Sequence, residues 1–155
     1  MKPVRNSAKA VIIQDGKLLT IQCLSWKNEV YYLFPGGGQN PGETLTGALL
    51  RECREEIGAE IEIEVEGLKW VREYIADNHE FAASHAGFHA VEFMFLCKLK
   101  PGTELVPASQ PDSYQTGIAW LPLESLHEKK FFPQAMIPLL QGKVQAHVDY
   151  LGDVN

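Results

Sequence analysis

A glycine-rich stretch, PGGGQNPGE at 35–43, runs straight into a helix-forming segment that closes with RECREEIG at 51–58. This junction constrains the chain more than any other feature. Its glycines and prolines forbid regular structure and permit close backbone approach, so 35–43 reads as a loop. Thr44 suits an N-cap, and Leu45, Leu49, Cys53 and Ile57 fall at helical spacing, giving a helix that Gly58 can end. At about 100° per residue, Glu52, Glu55 and Glu56 share a sector of roughly 100°, at the edge of the apolar stripe.

Three such glutamates are commonly no more than a solvated helix face, because a like-charge i,i+4 pair costs only a few tenths of a kcal/mol in water. Beside a buried stripe the balance differs. Two charges about 4 Å apart near a protein surface repel by about 4 kcal/mol at an effective dielectric of about 20. The patch therefore calls for a cation, and hard carboxylate oxygens with room for water suit Mg2+ or Mn2+ rather than zinc. Exposed N–H groups of a glycine loop, together with metal ions, can hold pyrophosphate oxygens.

Around this unit the chain reads as one layered α/β or α+β domain spanning 1–155. With 155 residues, 45% hydrophobic, it has material for one sizeable core and too little for two. The runs AKAVIIQ at 8–14 and KLLTIQC at 17–23 predict strands joined by a tight Asp15-Gly16 hairpin turn. Further strands are expected at about 60–66, 68–76, 89–99 and 116–121, with a polar loop at about 77–88 and a helix near 133–142. Cys23, Cys53 and Cys97 are odd in number and never form a C-x-x-C pair, which favours core residues over disulfides or zinc. His79, His85 and His89 lack a second ligand cluster and read as loop or pocket residues. A net charge of -6 argues against a nucleic-acid surface, and a phosphate-bearing ligand would need local cations to offset it. No apolar run approaches the roughly 20 residues that span a bilayer, and the N-terminus has no signal-like apolar stretch, so a soluble, cytoplasmic protein is expected.

The stretch Gly37 to Ala59, GGQNPGETLTGALLRECREEIGA, resembles the signature of the Nudix hydrolases. Gly37, Glu43, Arg51-Glu52, Glu55-Glu56 and Gly58 stand at that motif's spacing, while Cys53 and Ala59 are small for slots usually held by larger aliphatics. The resemblance implies an α/β/α sandwich with a mixed β-sheet between helices. It also implies that Glu52, Glu55 and Glu56, with Gly37, carry Mg2+ or Mn2+, and that Arg51 pairs with a neighbouring glutamate, most naturally Glu55 at i+4. Glu43 would support the loop or a second metal, and Gly36, Gly37 and Gly38 would form the phosphate loop. The implied reaction is hydrolysis of a diphosphate linkage in a nucleoside diphosphate derivative: a nucleoside triphosphate, a nucleotide sugar or an ADP-ribose-like compound.

Members of the family place the general base variously, so Glu52, Glu92 in HAVEFMFLC and Glu80 in the preceding loop are all candidates here. Glu92 reads equally as an outward-facing strand residue. ADP-ribose subfamilies often carry a proline beyond the motif, and REYIAD at 72–77 has none, which weakens that assignment. Ser109-Gln110-Pro111 matches part of a signature of NADH-cleaving members but lies too far downstream. Trp26, Tyr31, Tyr32, Phe81, Phe88 and His89 are candidates to stack on a base, although each suits core or hairpin packing better. The alternatives are a non-catalytic Nudix-fold nucleotide sensor, disfavoured because every catalytic acid is kept, and RNA 5′-end cleavage, disfavoured by the acidic balance. The expected partner is a small nucleotide, with no membrane; a homodimer is left open.

Overall fold

Alternation of apolar residues builds an opening hairpin, β1 (Arg5–Gln14) and β2 (Lys17–Leu24). Asp15 and Gly16 turn it with φ of 51° and 72°, the left-handed pair that a type I′ turn requires. The computed structural model describes residues 1–58, 62–108 and 111–155. After the hairpin come β3 (Val30–Leu33), β4 (Gly36–Gly38) and α1 (Leu45–Ile57). The chain continues through β5 (Ile63–Ile75), the single turn α2 (Ala82–His85), β6 (His89–Leu99), β7 (Gln115–Pro122), α3 (Ile137–Gln141) and β8 (Asp149–Asp153). The strands form one mixed sheet in the order β3-β2-β1-β6-β5-β8, with β4 on β1 and β7 on β2. β1 runs parallel to β6 and β5 parallel to β8; the other pairings are antiparallel.

The two faces of β1 and β6 are covered by different layers. On one face Ala8, Ala10, Ile12, Phe95 and Cys97 pack against Ala48, Leu49, Cys53 and Ile57 of α1. On the other, Val11 and Met94 meet Leu126, Phe131, Met136 and Leu140 from the C-terminal helical turns. This is a mixed sheet between helical layers. Burying a Leu49 or Ile57 side chain completely contributes ~1.5–3 kcal/mol each, so the apolar stripe anchors α1 whatever its charged edge does. Thr44 caps the helix by accepting from Gly47 N at 3.0 Å, and Gly58 closes it at φ 142° with its N–H on Arg54 O.

Several elements differ from the expectation. The strands expected at 60–66 and 68–76 are one strand, broken in register between Val65 and Gly67 and again between Leu68 and Trp70. Gly67 sits at φ 154°, and these irregularities interrupt the alternation along the strand. The helix expected at 133–142 is a 3-10 turn at Gln134–Met136 followed by the short α3, because Pro138 has no N–H to continue a ladder through it. β3 and β8 lie in segments without a clear strand pattern. The glycine stretch is not free loop throughout: Gly36–Gly38 pairs with Ser7–Lys9. Ala59, Glu60 and Ile61, the motif's last residue and the start of an expected strand, lie outside the described residues, as do Ser109 and Gln110. The three cysteines are free and buried. Among the described residues no helix is long and apolar enough to cross a membrane.

Candidate active site

Pairing of β4 with β1 lays a strand made only of glycine over the carboxylate edge of α1, and each glycine leaves room for something specific. At Gly36 a Cβ would strike the Ala8 carbonyl, and φ is 131°, so no side chain fits there. At Gly37 it would meet the Glu52 carboxyl carbon at 2.5 Å and both its oxygens at 2.7 Å. At Gly38 it would meet the Arg5 guanidinium. The absent side chains are what bring the backbone onto Glu52 on one side and a cation on the other.

Arg51 fastens this strand to the helix. Its Nε and Nη2 donate to the two oxygens of Glu43 at 2.5 and 2.9 Å, Nη2 also donates to Gly38 O at 2.9 Å, and Nη1 donates to Glu52 Oε1 at 2.9 Å. The expected i+4 partner, Glu55, lies 3.6 Å from Nη1 with its side chain 60% exposed, a secondary contact. Glu43 displaces it because the loop turns back on itself: Glu43 N donates to Asn40 O, and Asn40 N donates to Glu43 Oε2. A bidentate fork at that distance outcompetes a flexible surface pair. Hydrogen bonds from Arg51, then from Asn40, hold the Glu43 carboxyl at about 2, well below the usual carboxylate range.

Glu56 is buried, unlike the other two acids of the patch. Its Oε1 accepts from Gly36 N at 2.8 Å and its Oε2 from Gln115 Nε2 at 2.7 Å. Burial pushes its carboxyl up to about 7; Lys9 and the two hydrogen bonds oppose the rise, and the nearby Glu52 charge adds to it. Glu52 is partly covered, its side chain 19% exposed. The structure thus brings together Glu43, Arg51, Glu52, Glu56 and the three glycines, with Glu55 at the exposed rim.

The two remaining candidates stand elsewhere. Glu92 alternates with Phe93 and Phe95, which belong to the α1-side core, so it points to the opposite face. There Arg72 Nε donates to Glu92 Oε2 at 2.7 Å. Burial would raise this carboxyl, but Arg72 and Lys9 outweigh it and hold it below its ordinary value. The outward-strand reading is also incomplete, since Glu92 is a half-buried ion-pair partner with its side chain 12% exposed. Glu80 is exposed in the turn before α2. Of the aromatic candidates, Tyr31 and Phe81 pack with each other and with Phe132, ring centroids 4.9 to 6.4 Å apart, while Trp26 is exposed.

Sequence reasoning missed Gln115, Lys9 and Arg5. Lys9 carried a usable signal, being the one charge in AKAVIIQ; Gln115, lying 59 positions from Glu56, carried none. For a divalent cation, the donor set fits: Glu52 against Gly37, with Glu55 and Glu56 on the same helix, offers carboxylate oxygens only, the ligands that hard ions prefer. Among the described residues, no three His, Cys, Asp or Glu side chains are gathered at metal-binding distance.

The NUDIX domain family model matches residues 3–141. Among solved structures, the chain is similar to a NUDIX hydrolase from Nitrosomonas europaea, with 21% identity over 90% of this chain and 87% of that one and a TM-score of 0.67. A MutT NUDIX hydrolase from Burkholderia pseudomallei is 26% identical over 79% of this chain and 86% of that one, with a TM-score of 0.59. An ADP-ribose pyrophosphatase from Streptococcus suis is 20% identical over 97% of this chain and 100% of that one, with a TM-score of 0.64. No curated protein matches the chain at a significant level. The chain belongs to the Nudix family.

Proposed function

We propose that the protein is a divalent-metal-dependent hydrolase that cleaves the diphosphate linkage of a nucleoside diphosphate derivative by in-line attack of water on phosphorus. The observation that carries this reading is the fit of the Glu52 carboxylate into the space left by Gly37, beneath a strand that Arg51 ties to the helix. Glu52, Glu55 and Glu56, with the Gly37 carbonyl, would hold Mg2+ or Mn2+. When bound, such an ion neutralises phosphate charge and lowers the pKa of a coordinated water.

The chain's own residues supply the rest. Arg51 keeps Glu43 and Glu52 fixed, so the carboxylates do not have to be ordered when substrate arrives. Arg5 lies against Gly38 and Lys9 Nζ lies 3.5 Å from Gly36 O, placing two cations beside the glycine strand of a chain with net charge -6. They are the local offset that a phosphate-bearing ligand needs. Glu52 is the best-placed acceptor for the water's proton, since Glu92 faces away and is committed to Arg72. The substrate class is a nucleoside triphosphate, a nucleotide sugar or an ADP-ribose-like compound; the similar structure described as an ADP-ribose pyrophosphatase supports keeping the last.

The test is a panel of these compounds, assayed with Mg2+, with Mn2+ and with chelator in 18O-labelled water. Cleavage within the diphosphate, with label in a phosphate product and activity lost on chelation, is the expected result. Label found only in a sugar hydroxyl, or full activity in chelator, overturns the reading.

A further inference from the structure

Glu56 differs from its neighbours in the patch because, among the described residues, both its oxygens are engaged by protein donors. One donor is the glycine strand itself. The other, Gln115, comes from β7, which pairs with β2, and reaches Glu56 through an irregularity in that pairing. From Lys17 opposite Pro122 to Gln22 opposite Gly117, β2 and β7 pair without interruption; the register then jumps, and Cys23 faces Gln115. Thr116 is the extra residue.

The jump decides which way Gln115 points. Along β7, Ile118 and Trp120 pack into the α1-side core while Ala119 and Leu121 pack into the opposite one. Strict alternation would put Gln115 with Gly117, Ala119 and Leu121, facing away from α1. The bulge reverses this and sets Gln115 opposite Cys23, a buried member of the α1-side core. Local bonds hold the bulge in place: Thr116 Oγ1 donates to Gln22 O at 3.3 Å, Gln115 N to Asp112 O at 2.9 Å and Leu24 N to Tyr114 O at 2.8 Å.

We propose that Gln115 is a positioning residue of the active site: its amide and the Gly36 N–H together fix the orientation of the Glu56 carboxylate toward the divalent cation. This rests on the metal-dependent reading above. A neutral amide suits the task, because it orders the carboxylate without adding a second positive charge that would compete with the cation for it. Each carboxylate oxygen has a further lone pair after one hydrogen bond, so the two donors leave acceptor sites free.

The experiment is Mn2+ binding without substrate, followed by the electron paramagnetic resonance signal of the free ion. Gln115→Met, which keeps length and removes the donor, is expected to weaken Mn2+ binding by about 10- to 100-fold, the usual effect of losing a group that orients a ligand. Gln115→Asn, whose amide falls one methylene short, should show the same direction, and guards against a failure of the first variant to fold. In a Glu56→Gln background, Gln115→Met should have almost no further effect, because its influence passes through Glu56. Wild-type affinity or tighter binding in folded Gln115 variants overturns the proposal alone. An undiminished loss in the Glu56→Gln background also overturns it, as a general structural effect. Absence of Mn2+ binding by the wild-type protein overturns the metal reading and this proposal together.

Discussion

Adding one methyl group at Gly37 separates the site from the scaffold. Gly37 is not in the left-handed region, so alanine imposes no backbone strain there. Its Cβ would lie 2.5 Å from the Glu52 carboxyl carbon, where ordinary contact begins at 3.4 Å, so the carboxylate must retreat by about 0.9 Å. An off-rotamer side chain costs ~0.5–1.5 kcal/mol. Weakening the partly exposed Glu52–Arg51 pair adds ~0–1 kcal/mol. A total of ~0.5–2.5 kcal/mol lowers Tm by roughly 1–10 °C in a domain of this size. Displacement of a reacting or ligating group by about 1 Å can cost on the order of 100-fold in rate. Gly37→Ala should therefore melt close to wild type and turn over ~100-fold more slowly with saturating Mn2+. Gly36→Ala is the contrast: its Cβ meets the Ala8 carbonyl, which cannot swing aside, and φ 131° is unsuited to alanine, so that variant should lose the β4–β1 pairing and much of its stability. Melts by circular dichroism beside steady-state turnover measure both. Near-normal turnover in folded Gly37→Ala would refute the claim that Glu52's seat on Gly37 matters to the chemistry.

Three further outcomes are expected. In metal-free protein, the Glu56 carboxyl at about 7, against an ordinary value of 4.5, contributes full stability below about 4.5 that is lost as pH rises through about 7, a difference of ~3 kcal/mol at ~1.4 kcal/mol per pH unit. Glu56→Gln should remove that pH dependence and melt higher than wild type at pH 8 in chelator, yet turn over more than ~100-fold slower with metal; a parallel pH dependence in both proteins counts against the buried carboxyl. Mg2+ or Mn2+ at ~100 times its dissociation constant should stabilise the native state by ~2.7 kcal/mol, a rise in Tm of about 5–10 °C, whereas a matched ionic-strength control should not. Arg51→Lys keeps the charge but loses the fork to Glu43 and the bond to Gly38 O, so turnover should drop by ~10- to 100-fold with the helix intact; wild-type kinetics would show that the fork is dispensable.

What could be read in the sequence was what a helix or a turn decides within a few residues. Thr44, the apolar stripe, Gly58 and the angular grouping of the glutamates depend only on the helical repeat, and the Asp15-Gly16 turn only on two φ values. The partners of those residues were decided by chain far away. Arg51 chose Glu43 over Glu55 because a turn at 40–43 brings the first closer, which no i,i+4 rule contains. Gly36–Gly38 became a strand because Ser7–Lys9 offered it an edge, overriding the weak intrinsic preference of glycine for strands. Gln115 is the limiting case, since period-two reasoning applied to β7 sends it to the wrong face, and only the extra residue at Thr116 returns it to Glu56. The carboxylates that attract a metal were thus legible one by one. The neutral and cationic groups that orient them were not, because an orienting group needs only to arrive within hydrogen-bonding distance and leaves no spacing of its own in the chain.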